Sequence, residues 1–381
     1  MRRIYLDYAS ATPVHPSVAR AVYVGMEEIG GNPSATHAEG RKAYEALEGA
    51  RADVARSLSV KPEEILFTSG GTESNNIAIR GIAHALHARG VSFSDMHVVT
   101  SSVEHASVLE AVHLLEALGV RATYIKPAFD GVVTPESVLE ALTPETFLVT
   151  LAHVNSETGA ISPIAEIAQA IQRYCDRGLS VFKNRAPEFS FPVLHTDAAQ
   201  SPLYLDASPH TLRADVVSYD AQKIMGPKGV GVLYRDFSVP VSAITGGGTQ
   251  ERSIRPGTEN VPGAIGAALA FTLAKEKRAK REERVRTLRD WFIEKMQKEI
   301  PSAKLIGHPK RRIANNALFA VSGVDGEYLA VLMDTEGISV TPRSACGGSG
   351  GGYSHVVYEI TGDKELAKGT IRFSLGPDTE E

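Results

Sequence analysis

A lysine inside a turn rich in glycine and proline is the first residue that could do chemistry. Lys223 follows the strand-like run Val216-Val217-Ser218 and precedes the turn Gly226-Pro227-Lys228-Gly229. A lysine whose ammonium group loses its proton easily can form a Schiff base with an aldehyde cofactor. Most lysines in loops are solvated instead, so Lys223 indicates this chemistry only if partner groups lie nearby.

Two other segments carry groups that such a cofactor would need. Thr68-Ser69-Gly70-Gly71-Thr72 follows an apolar run and precedes a helical pattern, so its backbone N–H groups and the positive end of the helix could bind a phosphate. Asp197 comes directly after the strand-like Val193-Leu194-His195, where parallel strands form a ligand crevice, and its carboxylate could keep a pyridine nitrogen protonated. Each segment also has a simpler explanation, as turn glycines or as a helix N-cap.

The elements that would position these residues alternate between strands and helices. From about Glu64 to Tyr234, short apolar runs separated by helix-like segments predict a mainly parallel sheet covered by helices. These runs are Ile65–Phe67, Val98–Thr100, Leu148–Leu151, Val193–His195 and Val216–Ser218. Gly263 to Ile300 predicts one long helix, with an apolar stripe through Val285, Leu288, Phe292 and Met296 and a solvated charged face from Lys275 to Arg289. Val181 to Phe191 predicts a surface loop.

The composition limits the other possible functions. The chain has 381 residues, of which 43% are hydrophobic, so it is long enough for two subdomains. A net charge of -5 gives no general attraction to nucleic acid or to an anionic membrane. No run is long enough to span a bilayer, the start Met1-Arg2-Arg3 leads into no signal peptide, and Cys175 and Cys346 are too few for a disulfide framework. We therefore expect a cytoplasmic protein, and no metal site is predicted.

Several motifs, in their order along the chain, resemble those of the cysteine desulfurases of the NifS/IscS type, within the fold-type I, class V aminotransferase superfamily. The motifs are TSGGTES, SVEH, HVNSETG, HTDAAQS, QKIMGPKG, RPGTEN, SAC and IRFSLG. The resemblance extends from Leu6-Asp7-Tyr8-Ala9 almost to the end of the chain. It implies an α/β fold with a mainly parallel seven-stranded sheet. A large domain of residues 15–262 would bind pyridoxal 5′-phosphate (PLP), and residues 1–14 and 263–381 would form a small domain with the cysteine loop.

The resemblance also assigns residues to the cofactor. Lys223 would carry PLP as a Schiff base, Asp197 would pair with the pyridinium nitrogen, and His105 would stack on the ring and handle protons. The other cofactor-binding residues that it implies are Gly71 and Thr72 at the phosphate, Asn155 and Gln200 near the ring hydroxyl, Gln222 as a donor, and Thr258 reaching the phosphate of a neighbouring subunit. The last assignment implies a homodimer.

For the reaction, the resemblance implies L-cysteine as substrate. Arg372 would hold the substrate carboxylate, since a planar guanidinium binds a carboxylate through two parallel hydrogen bonds. Asn155 and, with less weight, Asn32 would assist. The Cys346 thiolate would attack the substrate sulfur and leave alanine and an enzyme persulfide, which a mobile glycine-rich loop would carry to an acceptor such as an iron–sulfur scaffold protein. Cys175 lies outside every motif and is interpreted as structural.

Two positions differ from the family pattern. The family usually has histidine before the cofactor lysine and serine or threonine two positions earlier, where this chain has Gln222 and Asp220. A carboxylate beside a dianionic phosphate is repelled unless it turns away, is protonated or is bridged. Our hypothesis is that Asp220 points out of the phosphate cup, that Ser218 or a backbone amide replaces it, and that PLP binds more weakly.

Two other functions stay open at this point. One is another class V PLP enzyme, such as a selenocysteine lyase or a transaminase, in which Cys346 is less essential. The other is a non-catalytic interaction protein that kept the fold and lost the cofactor. Turnover of several amino acids with and without Cys346 would separate the enzymes, and a protein that stays colourless after PLP is added would favour the third function.

Overall fold

The computed structural model describes residues 3–184, 189–342 and 352–381, so Cys346 and the glycine-rich run after it lie outside the described residues. The strands are β1 Ile4–Tyr5, β2 Ile65–Thr68, β3 His97–Ser101, β4 Arg121–Ile125, β5 Thr146–Ala152, β6 Val193–Asp197, β7 Val216–Asp220, β8 Gly231–Arg235, β9 Lys304–Ile306, β10 Asn316–Ala320, β11 Ile338–Ser339 and β12 Thr370–Ser374. The α-helices are α1 Pro16–Glu28, α2 Ala38–Leu58, α3 Gly71–Ala88, α4 Ala106–Glu116, α5 Pro135–Ala141, α6 Ile164–Cys175, α7 Pro209–Leu212, α8 Gln250–Ile254, α9 Val261–Glu299, α10 Gly326–Thr335, α11 His355–Thr361 and α12 Lys364–Lys368.

The main sheet has seven strands in the order β2-β8-β7-β6-β5-β3-β4, and only β8 runs against the others. The prediction of a mainly parallel seven-stranded sheet is confirmed, and every predicted strand run lies in it. The register places the ends of β5, β6 and β7 side by side, since Ala152 pairs with Asp197, and Asp197 with Ser218. We call this side of the sheet the carboxyl edge. Because β2 and β3 end at the same edge, the loops that follow β2, β3, β5, β6 and β7 converge there.

Helices cover both faces of the main sheet, which explains why its central strands are apolar throughout. Val98 and Leu148 belong to an apolar core with residues of α3 and α4. The next residues along each strand, Val99 and Val149, belong to the core that contains residues of α2, α6 and α9. Successive side chains of a strand point to opposite faces, so both must be apolar when both faces are covered.

The long helix α9 spans 39 residues and agrees with the predicted range within two residues at its start. It begins at Asn260, whose Oδ1 accepts a hydrogen bond from the N–H of Gly263 at 3.0 Å. Val285 of the predicted stripe is fully buried. The prediction of a solvated charged face is wrong at its end, because Arg289 is only 3% exposed and donates to the carbonyl of Ile313 at 2.7 Å.

A smaller three-stranded antiparallel sheet, in the order β12-β10-β9, packs on the second half of α9. The Phe292 ring of α9 lies 4.9 Å from the Phe373 ring of β12, measured between centroids. Beside this sheet, β1 pairs in parallel with β11, and Asp7 forms a bridge to Ser374. The start of the chain is thus attached to its last third. The domain boundary at residue 262 stays a prediction.

The prediction of a surface loop for Val181 to Phe191 is wrong at both ends. Val181–Asn184 forms a short 3₁₀ helix, and residues 185–188 lie outside the described residues. The side chains of Phe182 and Phe191 are 1% and 2% exposed, and their ring centroids lie 5.4 Å apart. Two buried aromatic rings therefore attach this segment, which connects α6 to β6, to the apolar core.

Across the three described ranges, none of the helices combines the length and apolarity needed to cross a bilayer. Within the same ranges, histidine, cysteine, aspartate and glutamate side chains form no cluster that could bind a metal ion.

Candidate active site

A cavity of about 280 Å³ opens at the carboxyl edge of the main sheet. Most of the predicted site residues line it, namely Gly71, Thr72, His105, Asn155, Asp197, Gln200, Gln222, Lys223 and Arg372. Cys346 lies outside the described residues. Asn32 and Thr258 are exposed and do not line the cavity of this chain. Sequence motifs spread over about 300 positions are therefore brought together by the ends of five strands, β2, β3, β5, β6 and β7, and by β12.

Lys223 ends the 3₁₀ turn that follows β7. Its Nζ donates to the carbonyl of Ala9 at 2.8 Å and to the carbonyl of Ser10. The same N-terminal segment is held by the N–H of Thr12, which donates to the carbonyl of Gln222 at 3.0 Å. The amine of Lys223 is thus held inside the cavity by two backbone carbonyls, and the segment from Ala9 to Thr12 forms the wall beside it.

Asp197 ends β6, and two donors fix its carboxylate. Oδ2 accepts from Asn75 Nδ2, and Oδ1 accepts from the N–H of Ala199, both at 2.9 Å. Asn75 Nδ2 also donates to Ser107 Oγ at 2.8 Å. The sequence interpretation missed Asn75 and Ser107, although Asn75 directly follows the TSGGTES motif. Their positions in the sequence could have indicated this role, because both lie within the first five residues of helices that begin at the carboxyl edge.

His105 caps the N-terminus of α4. Its Nδ1 accepts from the N–H of Ser107 at 3.1 Å, so the proton of the neutral ring is on Nε2. Burial lowers the pKa of His105, the charge of Asp197 opposes this shift, and the charge of Lys223 adds to it. The imidazole is therefore neutral near pH 7, and a neutral ring can lie flat against an aromatic cofactor without a charge to desolvate.

Glu104 is a buried acid next to the cavity that the sequence interpretation also missed. Its Oε1 accepts from Ser101 Oγ at 2.6 Å, and its Oε2 accepts from the N–H of Ala152 at 2.8 Å. Complete burial raises the pKa of Glu104 to about 8, the Ser101 hydrogen bond opposes this shift, and the charge of Asp197 adds to it. Glu104 joins the ends of β3 and β5 and carries a proton near neutral pH.

At the start of α3, the structure contradicts the hypothesis about Asp220. Its carboxylate does not turn away, because Oδ2 accepts from the N–H of Gly71 at 3.3 Å and from Gln222 Nε2 at 3.0 Å. Ser218 does not replace it either, since its hydroxyl lies 2.9 Å from His195 Nε2 and is fully buried. We call this group of N–H donors and Asp220 the phosphate cup. Asp220 ends β7, and in this position its carboxylate lies against the N-terminus of α3.

Arg372, on β12, is 1% exposed, so the alternative of a surface salt bridge is wrong. Its Nη2 donates to Asp7 Oδ1 at 3.0 Å and to Ser10 Oγ at 2.7 Å, and its Nη1 donates to the carbonyl of Ser156 at 2.7 Å. Among the described residues, its Nε has no hydrogen-bond partner. Three of the five N–H donors make these bonds, and a buried guanidinium with two donors still to satisfy can bind a small carboxylate. The sequence interpretation missed Asp7 and Ser10 as its partners.

Two amides on the cavity wall are oriented by the backbone. Asn155 Oδ1 accepts from the N–H of Thr158 at 2.9 Å, and its Nδ2 donates to the carbonyl of Val103 at 2.8 Å. Gln200 Nε2 donates to the carbonyl of Ala9 at 2.9 Å. Both side chains therefore have a fixed direction before any ligand binds.

The residues on either side of the undescribed segment 343–351 are attached beside the cavity. The N–H of Arg372 donates to the carbonyl of Thr341 at 2.8 Å, so the chain enters that segment next to the arginine. On the other side, Ser354 Oγ donates to Glu157 Oε2, near Asn155. Cys346 is four residues beyond Pro342, a distance of at most about 14 Å along an extended chain.

Cys175, at the end of α6, donates through its Sγ to the carbonyl of Phe191 at 3.2 Å. Burial raises its pKa to about 11, and the charge of Asp215 adds to the shift, so the thiol keeps its proton. This environment agrees with the interpretation of Cys175 as structural.

Comparisons with known proteins bear on this arrangement as a whole. The family model described as Aminotransferase class-V matches residues 4–381. A cysteine desulfurase IscS from Dictyoglomus turgidum is 40% identical over 375 residues, which cover 98% of this chain and 90% of the relative. Among solved structures, a NifS-like protein matches with a TM-score of 0.87 and 30% identity, covering 100% of this chain and 95% of the other. SspA in complex with cysteine matches with a TM-score of 0.81 and 30% identity, covering 98% and 99%.

These matches extend over nearly the whole chain, and they confirm the resemblance stated from the motifs. The chain therefore belongs to the class V aminotransferase family.

Proposed function

We propose that this protein is a PLP-dependent L-cysteine desulfurase that forms alanine and a persulfide on Cys346. The observation that carries the proposal is one cavity that joins Lys223, Asp197 and His105 to the buried Arg372. The relatives named cysteine desulfurase IscS support the reaction, and the solved relative in complex with cysteine supports the substrate.

The residues of the cavity fit PLP. The amine of Lys223 would hold the cofactor covalently, and Asp197, fixed by two donors, would accept a hydrogen bond from the ring N–H. His105 would cover one face of the ring, with Asn155 and Gln200 near its hydroxyl. When bound, PLP supplies an electron sink that weakens the bonds at the α and β carbons of an amino acid.

The phosphate would lie at the start of α3. Gly71 and Thr72 begin this helix, so their N–H groups and the helix dipole favour an anion there. Gln222 would add an amide donor, and Thr258 of the partner subunit would complete the cup in a homodimer. The exposure of Thr258 in this chain is compatible with a contact to a second copy.

Arg372 would hold the carboxylate of cysteine. Its side chain is already fixed by Asp7, Ser10 and the Ser156 carbonyl, so little conformational freedom is lost when the substrate binds. Three of its five N–H groups are used by these partners among the described residues, so the guanidinium keeps donors for a further acceptor. Asn155 is placed to assist, and Asn32 would assist only from a neighbouring subunit, since it is exposed here.

The sulfur transfer is then a displacement at the substrate sulfur. The thiolate of Cys346 forms the new S–S bond as the Cβ–Sγ bond of cysteine breaks, and the electron pair of that bond stays with the carbon skeleton. Protons at Cβ and Cα give alanine, and His105, neutral and within the cavity, would move them. Cysteine and the enzyme thiol thus become alanine and an enzyme persulfide, with no outside oxidant.

The fate of the persulfide is a further part of the proposal. The acceptor would be a protein such as an iron–sulfur scaffold, or an enzyme that makes thiolated cofactors or tRNA, in the cytoplasm. This part of the proposal is supported by the family to which the chain belongs.

The test is to give the PLP-loaded protein L-cysteine and a thiol reductant, and to measure sulfide and alanine together. We expect equal amounts of both, and a mass increase of one sulfur atom on Cys346 when the reductant is left out. Cys346→Ala should lose sulfide release, and Cys175→Ser serves as the matched control. Alanine formation that is unchanged in Cys346→Ala would instead favour a selenocysteine lyase or a transaminase.

A further inference from the structure

Asp220 places a carboxylate at the anion-binding end of α3. Its Oδ2 accepts the N–H of Gly71 at 3.3 Å, one of the donors that a phosphate would use. An added Cβ at Gly71 would lie 3.4 Å from the same oxygen, so little space separates the helix start from the acid. A phosphate bound in the cup must therefore lie directly beside Asp220.

The carboxylate is held in this position. Gln222 donates to it twice, from its backbone N–H to Oδ1 at 3.1 Å and from Nε2 to Oδ2 at 3.0 Å. The Asp220 side chain is 8% exposed and caps the turn that ends at Lys223. If Asp220 rotated out, it would leave these donors and lose the cap beside the cofactor lysine. We therefore expect the carboxylate to stay when a ligand binds.

Among the described residues, no ion pair compensates the charge of Asp220. On α3, Glu73 Oε2 accepts from the N–H of Ser69, and Glu73 pairs with Arg255 at 3.2 Å, so this cation already has a carboxylate. The other charged or titratable groups that line the cavity are Lys223, Arg372, Asp197 and the neutral His105, and Arg372 is already paired with Asp7. A doubly charged phosphate at this cup would meet two carboxylates near the start of one helix.

We propose that Asp220 and the cofactor phosphate hold one proton between them, so that this cup binds a phosphate monoester together with a proton from solution. The inference rests on the proposed function, because it concerns the phosphate of PLP. A carboxylate and a phosphate oxygen at hydrogen-bond distance repel each other when both are fully ionised, and a single shared proton turns the contact into a short hydrogen bond.

The second pKa of a phosphate monoester is about 6, so a free ligand is mainly a dianion above neutral pH. Binding to the wild-type cup must then take up a proton, and affinity should fall by up to about tenfold for each pH unit above 7. In Asp220→Asn the amide can donate to the phosphate itself. The requirement for a proton disappears, and with it this part of the pH dependence.

The experiment is calorimetric titration with pyridoxine 5′-phosphate, which has no aldehyde to react with Lys223. At pH 7.5, in two buffers of different ionisation enthalpy, we expect the wild type to take up about one proton more than Asp220→Asn. Titration of the ligand ring is common to both proteins and cancels in the difference. The charge of Asp220 raises the pKa of His105 and its loss changes the titration of His105, so the comparison is repeated in the His105→Gln background. Asp53→Asn, which removes an exposed carboxylate paired with Arg56, is the matched control and should behave as wild type.

Equal proton uptake by the wild type and Asp220→Asn would overturn the inference and leave the proposed function intact. If neither protein binds the ligand, the proposed function fails, and the inference fails with it. If Asp220→Asn does not fold, Asp220→Ser restores the hydroxyl type that the family usually carries and should bind the ligand more tightly than wild type at pH 8.5. Weaker binding by Asp220→Ser at that pH would contradict the shared proton.

Discussion

Two parts of the cavity are built for anions, and each already contains a carboxylate of the chain itself. At Arg372, the carboxylate of Asp7 lies opposite a buried guanidinium at 3.0 Å. At the phosphate cup, the hydrogen-bond partners of the Asp220 carboxylate among the described residues are N–H groups, one of them at the start of a helix. The first carboxylate neutralises a fixed cation and should stabilise the fold. The second adds negative charge at a place where an anionic ligand brings further negative charge, so it should act mainly on the affinity for that ligand.

The largest effect is expected at the guanidinium. Arg372→Ala removes the group that would hold the substrate carboxylate, and charged hydrogen bonds contribute about 1.5–3 kcal/mol each. We expect kcat/KM for L-cysteine to fall on the order of a thousandfold. Arg372→Lys should recover only part of this loss, because an ammonium cannot donate two parallel hydrogen bonds. The rate of alanine formation at steady state measures both variants. Wild-type activity in Arg372→Ala would show that Arg372 does not hold the substrate carboxylate.

The next prediction separates the two carboxylates by stability. Asp7→Asn leaves the buried charge of Arg372 without its counterion and should lower the free energy of unfolding by roughly 3 kcal/mol. Asp220→Asn should lower it by less, about 1 kcal/mol, since no cation depends on that group and the loss is confined to hydrogen bonds of the cap. Urea unfolding at pH 7.5 measures both. Equal destabilisation by the two substitutions would contradict the contrast between the two parts of the cavity.

Glu104 extends the comparison to a buried acid whose hydrogen-bond partners, among the described residues, are the Ser101 hydroxyl and the N–H of Ala152. Burial raises its pKa from the reference value of 4.5 to about 8, so the folded state binds a proton that the unfolded state has lost between these values. The stabilisation from protonated Glu104 is complete below about pH 4.5 and is lost as pH rises to about 8.

Between pH 6 and 8, the wild type should therefore lose on the order of 2 kcal/mol relative to Glu104→Gln, which does not titrate. Unfolding free energies of the two proteins across this range test the sign. A difference that stays constant with pH would show that Glu104 ionises normally in the folded protein.

The smallest effect is expected at Ser218. Its hydroxyl bonds to His195 within the core and does not reach the cup, so Ser218→Ala should leave the affinity for PLP unchanged within about twofold. The lost buried hydrogen bond should lower the free energy of unfolding by about 1 kcal/mol. A clear loss of PLP affinity in this variant would place Ser218 at the phosphate after all.

The sequence was sufficient for the sheet and for most of the cavity lining, because apolar runs and turn motifs report directly on local structure. Lys223 and Asp197 were found since each follows a buried strand at the carboxyl edge. The partners Asn75, Ser107 and Asp7 were missed, because a motif gives residue types without stating which donor meets which acceptor. The orientation of Asp220 was predicted incorrectly, because the prediction considered repulsion by a phosphate. It did not include the N–H groups of Gly71 and Gln222, which hold the carboxylate in the cup.

The same limit explains the errors outside the site. Phe182 and Phe191 lie in a segment whose polar centre predicts a loop. Both rings are buried because they pack in the core that contains residues of β3 and β5, and this contact is not visible in the local sequence. Arg289 lies in a charged run, but its side chain donates a hydrogen bond to the carbonyl of Ile313, in a distant segment of the chain. Periodicity within one helix cannot indicate a partner elsewhere in the chain.

The stretch from Asp7 to Thr12 contacts the lysine, the arginine and Gln200 together. A single peptide-bond cleavage there would detach the wall of the cavity from both anion-binding parts. Resistance of these few residues to a protease should rise when ligand fills the cavity, so the rate at which the N-terminal peptide is released would report occupancy without a chromophore or a label.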